Sequence, residues 1–175
     1  FLLQNFADLD ADGDLDAIGI FADYDNYAVD FAYVTNIGTR RSPRFSDQAV
    51  RSARLSSNDA DVEYLLYSRG ASADIDGDGD LDIMLATTRD LGWYAVPGIV
   101  LLENSGSRRS PQFRSAEDNP FDLDLIHLTD SYYARLEFAD IDGDGDQDIF
   151  VGCYTEATEN GALLYMENTS TPTWT

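Results

Sequence analysis

The 175-residue chain has no lysine, one cysteine and one histidine. Its eleven basic residues are all arginines, they face 33 acidic residues, and the net charge is −22. A chain so poor in positive charge repels nucleic acid and anionic membrane surfaces, so neither is expected as a partner, whereas cations are. A lone cysteine excludes an intrachain disulfide. Cys153 ends the apolar run Asp148-Ile149-Phe150-Val151-Gly152-Cys153 and reads as a small buried hydrophobe. His127 has no serine or cysteine companion in a nucleophile motif and reads as a surface or structural residue. No apolar run approaches the ~20 residues a membrane-spanning helix needs. No window sustains a 3.6-residue apolar period long enough for a major helix. There is no visible signal peptide and the sequence opens on Phe1, which suggests a processed protein or part of a longer one.

What the sequence does contain is a repeat. Apolar residues make up 43% and aromatics 12%, enough for packed cores rather than disorder. The segment Asp8-Leu9-Asp10-Ala11-Asp12-Gly13-Asp14-Leu15-Asp16 recurs twice, each time 66 residues later. The second copy is Asp74-Ile75-Asp76-Gly77-Asp78-Gly79-Asp80-Leu81-Asp82, and the third is Asp140-Ile141-Asp142-Gly143-Asp144-Gly145-Asp146-Gln147-Asp148. An alanine precedes each copy (Ala7, Ala73, Ala139), and an aromatic stands seven residues before it (Phe1, Tyr67, Tyr133). A short apolar run follows each loop, then a second run ending in Asn36, Asn104 or Asn168. A Pro-x-aromatic pair closes each copy: Pro43 and Phe45, Pro111 and Phe113, Pro172 and Trp174.

The runs are short, rich in β-branched and aromatic residues, and bounded by Gly, Asn, Asp and Pro, which is strand chemistry. Each repeat therefore predicts an antiparallel sheet of strand, Asp loop, strand, turn, strand. An outer fourth strand is expected within 46–63 and 115–130. The expected fold is all-β, with three propeller-blade-like sheets in a partial or open propeller. The repeats divide as 1–66, 67–132 and a shortened 133–175, together one repeat domain.

The loops point to calcium. Fifteen of the 33 acidic residues lie in the three nine-residue segments, interrupted by glycine rather than strung out as a solvated tail. Calcium takes six to eight oxygen ligands in a flexible cage of carboxylates, carbonyls and water. Aspartates at loop positions 1, 3 and 5 can turn inward together, glycine at position 6 reverses the chain, and positions 7 and 9 complete the shell. On this reading Asp8, Asp10, Asp12 and Asp16 ligate through side chains and Asp14 mainly through its carbonyl. The same roles fall to Asp74, Asp76, Asp78, Asp82 and Asp80, and to Asp140, Asp142, Asp144, Asp148 and Asp146. Three calcium ions are expected, one per loop. Magnesium demands stricter octahedral geometry, and zinc would want His or Cys. An EF-hand would need glutamate at position 12 and flanking helices; that position holds Gly19, Leu85 and Val151.

With these loops, entries such as Phe138-Ala139-Asp140 and the Glu-Asn-(Ser/Thr) strand ends, the sequence resembles the FG-GAP/VCBS repeats of integrin α-subunit propellers and bacterial secreted proteins. The resemblance implies blades whose first two strands are joined by the calcium loop, and an extracellular or cell-surface location. Family propellers close with about seven blades and this sequence carries three loops. It is therefore expected as a segment of a larger propeller, an open stack, or a homo-oligomer or polymer joined through exposed sheet edges.

The leading functional expectation is a non-enzymatic calcium-binding scaffold for adhesion, assembly or contact with a glycan or protein. The alternative is a carbohydrate-binding module or a fragment of a secreted polysaccharide-degrading enzyme, with acid–base groups such as Glu117 or Asp130. The duplicated Arg40-Arg41-Ser42-Pro43 and Arg108-Arg109-Ser110-Pro111 segments read as solvated turns or as contacts to acidic surface on a neighbouring repeat. Arg69 and Arg135 occupy matching positions, as anchors for loop carboxylates or as exposed strand residues. Asn168-Thr169-Ser170 has the form of an N-glycosylation site. The ten tyrosines, Tyr24, Tyr27, Tyr94, Tyr132 and Tyr133 among them, read as packing residues or as platforms for sugars.

Overall fold

The computed structural model describes residues 2–23, 25, 28–56, 69–90, 95–114, 117–118, 131–155 and 159–168. Phe1, Tyr67, His127, Asp130, Pro172, Trp174 and the Thr169-Ser170 part of the glycosylation triplet lie outside them. The described residues form β-structure and turns, with no helix among them.

The described residues form three antiparallel sheets, each carrying one aspartate loop. The first sheet has the order β1 (Leu2–Ala7), β2 (Asp16–Asp23), β3 (Ala28–Val34), β4 (Val50–Ser56). The second has β5 (Arg69–Ala73), β6 (Asp82–Asp90), β7 (Ala95–Leu102), β8 (Glu117–Asp118), and the third β9 (Ser131–Ala139), β10 (Asp148–Thr155), β11 (Asn160–Met166). Every loop of five aspartates joins the first two strands of its sheet. The expected outer strands are present as β4 and the two-residue β8.

Side chains alternate across the pleat, and the sheets stack on one another through both sets. In β6, Ile83 and Leu85 pack against the first sheet, beside Ile18, Phe31 and Tyr33. Their neighbours Met84 and Ala86 pack against the third sheet, beside Leu136, Ile149 and Val151. The middle sheet is thus covered on both faces, which its unbroken apolar run Ile83-Met84-Leu85-Ala86 requires. Cys153 is buried and unbridged in the same core as Ile149 and Val151.

Polar contacts tie the first two sheets along β1 and β5. Asn5 Nδ2 donates to the Gly70 carbonyl at 3.3 Å, and Arg69 Nη1 donates to the Gln4 carbonyl at 3.2 Å. Arg69 therefore serves the joint between sheets rather than a loop carboxylate. Gly70 has no room for a side chain: a Cβ there would lie 2.3 Å from Leu85 Cδ2.

Beyond β3 and β7 the chain makes a small hairpin. Thr39 and Ser42 exchange backbone hydrogen bonds, as do Ser107 and Ser110, leaving Arg40-Arg41 and Arg108-Arg109 exposed at the two tips. Gly38 and Gly106 lie under the returning strand, where a Cβ would meet the Ser42 carbonyl at 2.5 Å and the Ser110 carbonyl at 2.3 Å.

Candidate metal centre

Each loop is folded by its own carboxylates, in the same pattern three times. The position-1 aspartate accepts from the glycine N–H at position 6: Asp8 from Gly13 and Asp140 from Gly145 at 3.2 Å, Asp74 from Gly79 at 3.1 Å. The aspartates at positions 3 and 5 each accept from the N–H two residues on, so Asp10 holds Asp12 and Asp12 holds Asp14. The same bonds recur at Asp76, Asp78, Asp142 and Asp144. These short-range acceptor bonds curl the chain around the loop's carboxylates. Gly13, Gly79 and Gly145 reverse the chain at φ of 98°, 94° and 102°, where a Cβ would be strained. Position 4 is also left-handed, at Gly77 and Gly143 but also at Ala11, with φ 55°.

The ninth aspartate has a different task. Asp16, Asp82 and Asp148 are buried, and each accepts two backbone hydrogen bonds. Oδ2 takes the N–H of loop position 2, from Leu9 (3.0 Å), Ile75 (3.1 Å) and Ile141 (3.2 Å). Oδ1 takes the N–H of the asparagine that ends the third strand: Asn36 and Asn104 at 2.8 Å, Asn168 at 2.9 Å. The asparagine passes the connection on. Asn36 Oδ1 accepts from Gly38 and Arg44, and Asn104 Oδ1 from Gly106 and Gln112, so the loop, the third strand and the small hairpin form one network. The threefold recurrence of an asparagine at one place was the sequence signal for this residue, but spacing alone did not reveal its partner.

Ligand atoms of Asp8, Asp10 and Asp16 lie within 4.8 Å of one another, as do those of Asp74, Asp76 and Asp78 and of Asp140, Asp142 and Asp144. Asp12, Asp82 and Asp148 stand outside these trios. Asp14, Asp80 and Asp146, read from sequence as carbonyl ligands, are buried, and in all three Oδ1 has no hydrogen-bond partner. Asp8 Oδ1 is in the same condition. A buried carboxylate oxygen without a donor is costly, and a carboxylate can only accept. A bound cation relieves that cost, and acceptor-only oxygens are what a hard ion such as calcium takes.

The protonation equilibria report the same crowding. Burial, followed by the charge of Asp12, raises the carboxyl of Asp14, and burial followed by Asp78 raises that of Asp80. Burial pushes Asp82 up to about 6, against the two backbone hydrogen bonds that pull it down. Asp146 is pushed up to about 6 by burial and its hydrogen bond with Asp144, whose own carboxyl is lowered by the Asp146 N–H.

Between the second and third loops lies a cavity of about 520 Å³, lined by Ile75, Gly77 and Leu81 on one side and Phe138, Asp146 and Asn168 on the other. Residues 74–151, from the first aspartate of the second loop to the middle of β10, match the family model described as an FG-GAP-like repeat. No curated protein and no solved structure matches the chain significantly.

Proposed function

For a chain carrying an FG-GAP-like repeat, we propose that it is a calcium-stabilised extracellular scaffold without catalytic activity, holding one ion in each of three loops. The observation that carries this reading is the unpartnered, buried Oδ1 of Asp14, Asp80 and Asp146, recurring at loop position 7 in every copy. Asp8, Asp10 and Asp12 and their counterparts would supply the outer carboxylates. Calcium, when bound, supplies the positive charge that five crowded aspartates lack; the chain's own residues set the curl of the loop and its tie to the sheet.

A structural role for the ion follows from where the loop is anchored. Asp16, Asp82 and Asp148 link each loop to two strands through main-chain bonds, so ordering a loop orders its sheet. Binding energy then becomes folding energy. Millimolar calcium outside cells suits weak sites of this kind, which favours an extracellular or cell-surface setting.

The test is thermal unfolding in calcium, in magnesium and in chelator. The scaffold reading expects the highest midpoint in calcium, a smaller gain in magnesium, and a loosened chain in chelator. Equal midpoints in all three would overturn it. Incubation with a panel of polysaccharides in calcium should give no new reducing ends or unsaturated products; their appearance would favour the enzyme alternative.

A further inference from the structure

The first two aspartate loops are connected through the core as well as along the chain. Leu9, at position 2 of the first loop, donates its N–H to Asp16 and buries its side chain, leaving 2% exposed. The cluster that receives it draws on two sheets: Phe31 and Tyr33 come from the first, Leu85 and Phe113 from the second repeat. A residue that closes the first loop is therefore packed in the same core as the hairpin of the next copy.

The second loop enters that core at Phe113. Asp82, at position 9 of the second loop, accepts the N–H of Asn104 at 2.8 Å. Asn104 bridges Phe113 across the base of the small hairpin, and its Oδ1 accepts the N–H of Gln112 at 2.8 Å. The hairpin so held lies against the first sheet. Phe31 and Tyr33 meet the Phe113 ring edge-on, with centroids 4.9 and 6.1 Å away. Two polar bonds fix the contact: Ser52 Oγ donates to the Phe113 carbonyl at 3.0 Å, and the Tyr33 hydroxyl to the Pro111 carbonyl at 3.4 Å. Phe31 and Tyr33 belong to β3, which runs on into Asn36, and the Asn36 N–H is held by Asp16 of the first loop at 2.8 Å.

We propose that calcium binding at the first two loops is cooperative, with Phe113 as the residue that couples them. The proposal rests on the calcium reading of the loops. Each loop is curled by its own bonds, and its position-9 aspartate carries that order outward, into β3 from the first loop and into the second hairpin from the second. These two elements pack on one another at Phe113. Ordering one loop therefore fixes the surface against which the other's anchor packs, and the loop that fills second has less chain left to order. Coupling of this kind is reciprocal, so each loop changes the other's affinity by the same factor. Electrostatics works the other way, because an ion in one loop weakens the negative field that draws an ion to its neighbour, and salt screens that effect.

The test is a calorimetric titration of calcium into the full chain at physiological salt, with the third loop disabled throughout by Asp140→Asn and Asp142→Asn. Three such chains are compared: one with both remaining loops intact, one with the first disabled by Asp8→Asn and Asp10→Asn, and one with the second disabled by Asp74→Asn and Asp76→Asn. Two asparagines remove the same negative charge that one divalent ion neutralises, so a disabled loop and a filled one cast a similar field on the neighbour. With both loops intact, two ions should bind with a Hill coefficient above one. Disabling either loop should weaken binding at the other by the same factor, about five- to a hundredfold. Phe113→Ala leaves every aspartate in place and should bring that factor close to one. The milder pair Tyr33→Phe and Ser52→Ala removes both polar bonds at the contact and should lower it, which keeps the test open if circular dichroism shows that Phe113→Ala disturbs the fold. Affinities that do not depend on the other loop overturn the proposal, as does coupling that survives these substitutions unchanged. A chain that takes up no calcium at all overturns the calcium reading itself, and the coupling with it.

Discussion

Strand β6 and strand β11 belong to equivalent sheets, yet β6 is buried without interruption from Asp82 to Thr87 while β11 alternates between half-buried and exposed. Both are rich in apolar residues, but β6 follows its loop inside a four-stranded sheet, whereas β11 is the edge of a three-stranded one. The difference lies in their neighbours: a sheet packs against β6 from either side, and β11 is covered from one. In a repeat array each unit's stability is its own contribution plus what its neighbours supply. The loops do not share this asymmetry. Asp16, Asp82 and Asp148 are equally buried and make the same two backbone bonds whatever their sheet's position. Packing is therefore a property of the stack, and the aspartate loop a property of each copy.

The largest effect should come from substitutions that separate the two sheets. Leu85→Ala, at a fully buried site in β6, should cost about 2–5 kcal/mol in denaturant unfolding with calcium present. Leu163→Ala on the open face should stay within about 0.5 kcal/mol for the monomer. Equal costs would mean that the third sheet is covered after all. The loops should behave in the reverse manner. Asp82→Ala and Asp148→Ala each remove the acceptor of two main-chain N–H groups, and should cost similar amounts, about 1–3 kcal/mol or more, despite the different packing of their sheets. A large gap between them would tie the loop to the stack.

Much of this layout was legible in the sequence. The 66-residue offset located the loops, the short apolar runs located β2, β3, β6, β7, β10 and β11, and Cys153 was placed in the core by its neighbours. Which face of a sheet is covered was not legible, because Ile83-Met84-Leu85-Ala86 and Ile149-Phe150-Val151 are apolar on both sides of the pleat. Nor was the division of labour among the aspartates. Spacing reads position 7 mainly as a carbonyl ligand and position 9 as a side-chain ligand; the fold adds that position 9 accepts from two main-chain N–H groups and that position 7 is buried with an idle carboxylate oxygen. Arg69 read equally as an anchor for loop carboxylates or as an exposed strand residue; it is exposed on β5, and its Nη1 donates to a carbonyl of the preceding sheet.

Smaller effects sharpen the picture of the loops. Ala11 holds φ 55° where the second and third copies have glycine. Ala11→Gly should therefore stabilise the first loop by up to about 1 kcal/mol, seen as a higher midpoint in calcium. The matching Gly77→Ala should lose a similar amount. The pH response should change sign with the ion. Asp82 and Asp146 have folded-state values of about 6, above the ordinary 3.8, so the folded metal-free chain holds more protons than the unfolded one between those values. Metal-free stability should then be greatest near pH 4 and fall as pH rises through about 6. The calcium-loaded chain should lose stability over the same acid range, because protons compete with the ion for carboxylate oxygens. Parallel pH profiles with and without calcium would separate the raised carboxyls from the metal site.

The most direct measurement is a calorimetric titration of calcium into the metal-free chain, read for the number of ions bound. Three loops with the same internal bonds and the same idle oxygen predict three ions per chain, with binding accompanied by ordering of the sheets. No uptake of calcium, or uptake that leaves structure and stability unchanged, would contradict the account.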